Sequence, residues 1–509
     1  MDELVMAIDA GTTGVTVLLV DREGRPVHRG YREIDQHYPR PGWVEHDPEQ
    51  IWSATLDAAA EALGAAGSAT VVAAGIANQR ETVVVWERDT LAPVHPAIVW
   101  QCRRSAGICD ELRARGAEPA IRERTGLVVD PYFSGTKLTW LLREVPGLRK
   151  RAEAGELAFG TVDAWLLAKL TGGREHATDV SNASRTLLLG LDTLAWDESL
   201  LGLLEVPEAL LPEVMASSHR FGTAEPGLLG SSAVPVSGMA GDQQAALFGQ
   251  ACFEEGMAKN TYGTGSFVLV NTGSNHTVGS PGILTTVAWG LDDHSQASGA
   301  VDYASEGSVF VTGAAIQWLR DGLRIISSAA ETGPLAESVP TTGGVFFVPA
   351  LAGLGAPHWD PHARGTIVGI TGGTTRAHIA RATVEAMAFQ SRDVVDAMTA
   401  GSGVAPTELR VDGGASVMDL LCQFQADILG IPVARPVVRE TTALGAAYLA
   451  GIAEGFWSGT DEVAAQWRLD RRFEPAMRED QRESLHGQWR RAVERARGWA
   501  ADPPGSAGP

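Results

Sequence analysis

The chain has 509 residues, 44% of them hydrophobic, which is enough for two large domains with cores of their own. A formal net charge of −21 argues against nucleic acid or an anionic membrane as partner, because neither affinity is built without a basic patch; a small or locally neutralised substrate fits better. Lysine occurs only as Lys137, Lys150, Lys169 and Lys259, which argues against a lysine-bearing phosphate loop and leaves phosphate chemistry to arginine, backbone amides, hydroxyls or a metal.

From the N-terminus, residues 4–9, 14–20 and 26–34 read as three strands joined by "DAGTTG" and "DREG", an antiparallel meander. The Gly-Thr-Thr turn lets backbone amides and the hydroxyls of Thr12 and Thr13 approach phosphate oxygens, with no side chain at Gly11 in the way. Asp9, at the end of the first strand, can hold a magnesium ion that supplies the positive charge this turn lacks. The same residues would also serve an ordinary hairpin. "DPEQIWSATLDAAAEALGAAG" carries Asp47 as N-cap, Pro48 at the first helical position and apolar residues at helical spacing, predicting a helix over 48–63.

"VVAAGIANQRETVVVWE" returns to strand, turn and strand, with Arg80 beside Glu81 at a strand end; a five-donor fork next to a carboxylate can grip adjacent hydroxyls or form an ion pair. Trp100 in "AIVWQCRR" and Tyr132, next to Phe133, in "VVDPYFSGTKLTWLL" suit either a core or a site. "GTAEPGLLGSSAV", near 222–234, reads as a surface loop. In "VSGMAGDQQAALFGQ", Asp242 and Gln243 begin a small-residue helix, where a carboxylate can take the proton of a hydroxyl attacking a γ-phosphate or cap the helix.

"GMAKNTYGTGSFVLVNTG" (256–273) repeats the opening theme of strand, Gly-Thr turn and strand, so the chain reads as duplicated: two mixed α/β domains facing across a cleft, divided near residue 250. Two such turns facing one cleft are what a nucleotide clamp needs. "ELRVDGGASVMDLLCQFQADILG" (408–430) runs a strand into Gly413 and Gly414 and then a helix, a surface for adenosine or a plain strand-to-helix turn. The closing "ADPPGSAGP" has the composition of a disordered tail. Cys102, Cys109, Cys252 and Cys422 lack metal or redox spacing and read as free buried thiols suited to a reducing cytoplasm; no leader or membrane-spanning run is visible.

Taken together, "AIDAGTT", "PGWVEHDP", "NQRET", "AIVWQCRR", "DPYFSGTK", "GTVDAWL", "NASRT", "GDQQAALFGQ", "GMAKNTYGTG", "GLGAPHWDP", "VDGGA" and "TALGAAYLAG" resemble, in order from about residue 4 to 475, the FGGY carbohydrate kinase family, its glycerol kinases in particular. The resemblance implies an α/β fold of two ribonuclease-H-like domains, of the actin and sugar kinase ATPase type, around a nucleotide cleft. It implies a mainly glycerol-binding domain over 1–250, a mainly nucleotide-binding domain over 251–500 and a tail over 501–509. It also implies ATP-dependent phosphorylation of glycerol to sn-glycerol 3-phosphate with Mg2+, by a cytoplasmic homo-oligomer, dimer or tetramer.

Carried over by residue, the resemblance sets glycerol among Arg80, Glu81, Tyr132, Asp242 and Gln243, with Trp100 and Phe267 against its carbons and Asp242 as general base. Nucleotide contacts fall on Thr12, Thr13, Thr264, Gly313, Gln317, Gly414 and Met418, with Asp9 toward magnesium. The departures cluster: Ala10 replaces the family's common glutamine, Thr16 its phosphate-reaching arginine, and Met418 the asparagine at the adenine. A kinase for another small polyol, and a weakly active glycerol-binding relative with an eroded nucleotide site, therefore stand as alternatives.

Overall fold

The apolar run of residues 4–8 lies wholly in the interior of the computed structural model, which describes residues 2–292 and 300–500; the tail expected over 501–509 lies outside the described residues. Thirteen strands form one sheet. In chain order they are β1 (Glu3–Ala10), β2 (Gly14–Val20), β3 (Pro26–Glu33), β4 (Thr70–Asn78), β5 (Ser218–Thr223), β6 (Pro235–Gly241) and β7 (Met257–Tyr262). They continue as β8 (Ser266–Gly273), β9 (Leu284–Leu291), β10 (Ala300–Val309), β11 (Glu408–Gly413), β12 (Val433–Pro436) and β13 (Leu469–Phe473).

The topology repeats itself. In the first half β1 pairs antiparallel with β2, β2 antiparallel with β3, and β1 parallel with β4. In the second, β7 pairs antiparallel with β8, β8 antiparallel with β10, and β7 parallel with β11. The halves meet where β5 touches β9 through the single register pair Ser218 and Leu291. The duplication read from two Gly-Thr hairpins thus extends to strand order, and the sheet runs unbroken through both halves.

Alternation with period two sends the residues of β1 to opposite faces. Met6 and Ile8 pack with Ala58 and Ala62 of helix α1 (Pro48–Ala66), while Val5 and Ala7 pack with Ala446, Ala447 and Ala450. Burial on both faces explains why the strand carries an almost continuous apolar run. Asp47 accepts from the Glu49 N–H as the expected cap, and α1 continues past residue 63 until Gly67, whose φ of 64° ends it.

The alanines on the second face belong to a helix over Thr441–Ala453 that lies against helix α2 (Asp242–Gly249). Close approach depends on missing side chains: a Cβ on Gly249 would sit 1.9 Å from the Thr441 carbonyl oxygen, and one on Gly445 1.8 Å from that of Ala245. The pair holds α2, the helix that begins with Asp242, by backbone contact at its middle and C-terminal end. The surface loop expected near 222–234 is only partly one: β5 runs through Thr223, and Ala224, Leu229 and Val234 are buried against the core of the first half.

Candidate active site

Asp9, Arg80 and Asp242 lie at or just beyond the carboxyl ends of three neighbouring parallel strands: β1 pairs Asp9 with Ala77 of β4, and β6 pairs Gly241 with Asn78. That edge of an α/β sheet is where ligands bind, because the strands end there and side chains from several of them converge. A γ-turn follows β4. The Thr82 N–H donates to the Arg80 carbonyl at 2.8 Å, and Glu81 between them has a φ of 61°, in the left-handed region that a side chain enters only at some cost.

This turn separates two adjacent charges. The Arg80 Nε stands 3.7 Å from Glu81, which instead accepts from the Arg185 Nε at 2.7 Å. Arg80 is itself engaged at every donor: one terminal nitrogen donates to Glu306 and to Gln244 (3.1 Å), the other to Glu306 (2.9 Å) and to the Tyr132 hydroxyl (3.3 Å), and Nε lies 3.3 Å from Asp242. Its guanidinium also lies 5.8 Å from the Phe267 ring centre. The ion pair of Arg80 with Glu81 that their adjacency suggested is present but long, and it is closed into a buried ring, Glu81–Arg185–Glu306–Arg80, that reaches Asp242 and Tyr132.

The remaining acceptor-side residues join this ring. Trp100 packs edge-on to Tyr132 with ring centres 5.6 Å apart. Gln243 is buried, and its Oε1 accepts from Lys259 Nζ at 2.6 Å, which turns its amide N–H groups toward other partners; Lys259 also donates to Thr261 at 2.9 Å. Asp242 is the first residue of α2 rather than its cap, its Oδ1 accepts from the Gln243 N–H at 2.8 Å, and its side chain is 28% exposed where that of Arg80 is 1%. It is the most exposed carboxylate of a buried charge cluster.

Charge and burial set the ionisation of this cluster. Burial would raise the Glu306 carboxyl, but Arg185 and Arg80 overcome it and hold it at about 2. Asp242 is pushed up by burial, against the pull of Arg80 and Lys259, as suits a proton acceptor. Lys259 is lowered to about 8 by burial, resisted by Asp412, Asp242 and Glu306.

The first turn is tight: the Gly11 N–H donates to the Gly14 carbonyl at 3.1 Å, while Thr13 is exposed and Thr12 half-buried. Asp9 Oδ1 is buried without a partner, and its carboxyl is raised to about 7 by burial and by the charge of Asp242. An orphaned carboxylate oxygen at this position suits a cation. Among the described residues no three His, Cys, Asp or Glu side chains gather into a metal-holding group.

In the second half, Thr264 is exposed on the matching turn, and its carbonyl accepts from the N–H groups of Thr312 and Ala314 at 3.0 Å each. Gly313 opens the helix α3 (Gly313–Asp321) so close to this turn that a Cβ would lie 2.5 Å from the Gly263 carbonyl oxygen; Gln317 is exposed one turn on. Gly414, beyond β11, faces open space, and Met418 lies against Gly333, its Cγ 3.5 Å from where a Cβ there would sit. Nucleotide-side candidates therefore lie at the matching turns after β1 and β7 and beyond β10 and β11, while Arg80 and Asp242 follow β4 and β6.

Glu306, Arg185, Gln244 and Lys259 were not singled out as site residues from the sequence. Glu306 is separated from Arg80 by 226 residues and Arg185 from Glu81 by 104, so no local spacing links them. One usable signal was a lone glutamate inside the strand "YASEGSVFV", since a buried carboxylate needs a cationic partner.

Residues 4–249 match the N-terminal domain, and residues 258–454 the C-terminal domain, of the FGGY family of carbohydrate kinases. The chain is 56% identical over 497 residues to glycerol kinase 2 of Thermotoga maritima, covering 97% of this chain and 99% of that one. It is 57% identical over 500 residues to a glycerol kinase of Symbiobacterium thermophilum, with 98% and 99% covered. The structure of Plasmodium falciparum glycerol kinase with ADP superposes with a TM-score of 0.91 at 35% identity, covering 97% of this chain and 98% of that one. A gluconate kinase from Lactobacillus acidophilus, 21% identical with 99% of each chain covered, shares the fold at a TM-score of 0.86.

Proposed function

Because the chain belongs to the FGGY family of carbohydrate kinases, we propose that it transfers the γ-phosphoryl group of ATP to a terminal hydroxyl of glycerol, giving sn-glycerol 3-phosphate and ADP. The observation that carries the reading is the convergence of Arg80, Tyr132, Asp242 and Phe267 at one strand edge, within a chain that is 56–57% identical to glycerol kinases along nearly its whole length. A three-carbon triol needs donors and acceptors around its hydroxyls and an apolar wall along its carbons. Arg80, Tyr132 and the Gln243 amide supply donors, Glu81 and Asp242 acceptors, and Trp100 and Phe267 the wall.

In the reaction we assign, Asp242 accepts the proton of the attacking hydroxyl while the oxygen displaces ADP in line from the γ-phosphorus. Burial favours this acceptor by raising its affinity for a proton. The Gly11 and Thr264 turns, with the hydroxyls of Thr12 and Thr13, hold the triphosphate, and Gly313, Gln317, Gly414 and Met418 border the nucleoside. Asp9 would hold Mg2+, which when bound supplies charge neutralisation to the phosphates. Contributions from both halves of the chain support closure over the substrates, excluding water as a competing acceptor.

We further place the protein in the cytoplasm as a homo-oligomer, dimer or tetramer. Four free, buried cysteines are consistent with a reducing compartment, and among the described residues no helix is long and apolar enough to cross a membrane. A coupled ADP-release assay with ATP, Mg2+ and a panel of glycerol, erythritol, xylitol and dihydroxyacetone tests the assignment. Turnover with glycerol exceeding that with the others is expected; preference for another polyol, or no turnover, would overturn it.

A further inference from the structure

Arg80 has five N–H groups, and the protein itself faces all five with acceptors. Their strengths differ by geometry. Glu306 takes one N–H from each terminal nitrogen, forming the two-pronged pair that carboxylate and guanidinium planes favour, and Gln244 takes a third. The two remaining contacts, to Tyr132 and Asp242, are the longest at 3.3 Å each, and both partners are acceptor-side residues. Glu306 is itself clamped from a second side by Arg185 at 3.0 Å, and its side chain is wholly buried.

A buried guanidinium always finds a carboxylate, and this pocket offers three. Were Glu306 absent, the strongest remaining partner for the two-pronged pair would be Asp242, the carboxylate that must stay free to take a proton. Glu306 stands on β10 in the second half of the chain, whereas Arg80, Arg185 and Glu81 come from the first. The fork that meets substrate is thus held from behind by a carboxylate of the opposite half.

Resting on the reading that Arg80 and Asp242 bind glycerol, we propose that Glu306, seconded by Arg185, is a positioning residue that fixes the Arg80 guanidinium so that only its Tyr132- and Asp242-facing N–H groups are offered to a glycerol hydroxyl, and that keeps Arg80 from closing onto Asp242. This assigns to a side chain sealed from solvent the geometry of the substrate pocket.

The test is Glu306→Gln, which keeps shape and removes charge, with glycerol binding measured by calorimetry on the full chain beside steady-state kinetics and thermal unfolding. Loss of a charge-assisted hydrogen bond is expected to raise the Kd and KM for glycerol about ten- to a hundredfold while the KM for ATP moves less than about threefold. Glu306→Asp, which keeps charge on a shorter arm, should recover part of the lost affinity. An unchanged glycerol Kd in the folded variant would overturn the proposal, as would parallel losses for glycerol and ATP, which denote a merely structural role. If Glu306→Gln does not fold, Glu306→Asp decides by the same measurements: weaker glycerol with ATP spared supports, wild-type or parallel behaviour overturns. Wild-type protein that neither binds nor phosphorylates glycerol would instead strike the functional reading itself.

Discussion

Trp100 donates its indole N–H to the Thr12 hydroxyl across 2.9 Å, so the aromatic wall proposed for the acceptor pocket and the turn proposed for phosphate are one hydrogen-bonded unit. Trp100→Phe keeps a plate against the substrate carbons but frees Thr12. A neutral hydrogen bond contributes about 0.5–1.5 kcal/mol, roughly two- to tenfold in affinity, so the KM for ATP should rise by that factor with a smaller change for glycerol. An ATP KM left at the wild-type value would show that Thr12 is held without this bond.

Asp242 is more exposed than its charged neighbours, and an asparagine there keeps the Oδ1 that accepts from the Gln243 N–H in the first turn of α2. Asp242→Asn should therefore fold normally and bind glycerol close to wild type, yet turn over about 10² to 10⁴-fold more slowly, the range for losing a general base. Single-turnover kinetics beside calorimetric binding check both halves of that statement.

Lys259, lowered to about 8 chiefly by burial, is an ammonium below that pH and a neutral amine above it. Its bond to Gln243 Oε1 weakens on deprotonation, so kcat/KM for glycerol should fall as pH rises through about 8. Stability moves the other way: between about 8 and the ordinary value of 10.5 the unfolded chain binds more protons than the folded one, so this group adds stability as pH rises through that window. Lys259→Arg, which does not titrate there, should lose the alkaline limb; a limb unchanged in that variant would assign it to another group.

What was legible in the sequence was local. The β1–β3 meander, the Asp47 cap, both Gly-Thr turns and the placing of Asp242 at a helix start each rest on residues a few positions apart, where turn and cap chemistry act directly. The pairing inside the site was hidden, because adjacency misleads there. Arg80 and Glu81 are neighbours in sequence, yet each finds its closest partner more than a hundred residues away, Arg80 at Glu306 in β10 and Glu81 at Arg185 in the turn that follows a short helix. Helix packing was equally non-local: the small residues of "TALGAAYLAG" are explained by α2 on one side and by β1, β4 and β6 on the other.

That packing yields its own test. A methyl on Gly445 would meet the Ala245 carbonyl oxygen at 1.8 Å, with backbone on both sides and nothing flexible to yield. Gly445→Ala should destabilise by roughly 1–3 kcal/mol or more through overpacking, read as a lower urea midpoint with an unchanged slope. Because α2 carries Asp242, turnover of the folded fraction should drop as well; a variant of wild-type stability would mean that the two helices part without cost.

Thr16 stands directly across the β1–β2 ladder from Asp9, so both side chains leave the sheet on the same face beside the first turn. The family's phosphate-reaching arginine would emerge there, and under the proposed function its absence would leave the triphosphate to the turn amides and threonine hydroxyls, with Asp9 as the residue that would hold Mg2+. A charge-assisted hydrogen bond to phosphate contributes about 1.5–3 kcal/mol, roughly ten- to a hundredfold, so the wild type should show a high KM for ATP, with Met418 loosening selectivity for adenine. Thr16→Arg should lower the ATP KM or raise turnover by about that factor and leave the KM for glycerol nearly unchanged, because the acceptor pocket lies at other strand ends. On its other side, β2 pairs Thr16 with Tyr31 of β3, over whose ring the Arg29 guanidinium sits at 5.2 Å. If the wild type already binds ATP at micromolar levels and Thr16→Arg gains nothing, the missing charge is supplied from elsewhere, and Arg29→Ala is then the variant that should raise the ATP KM.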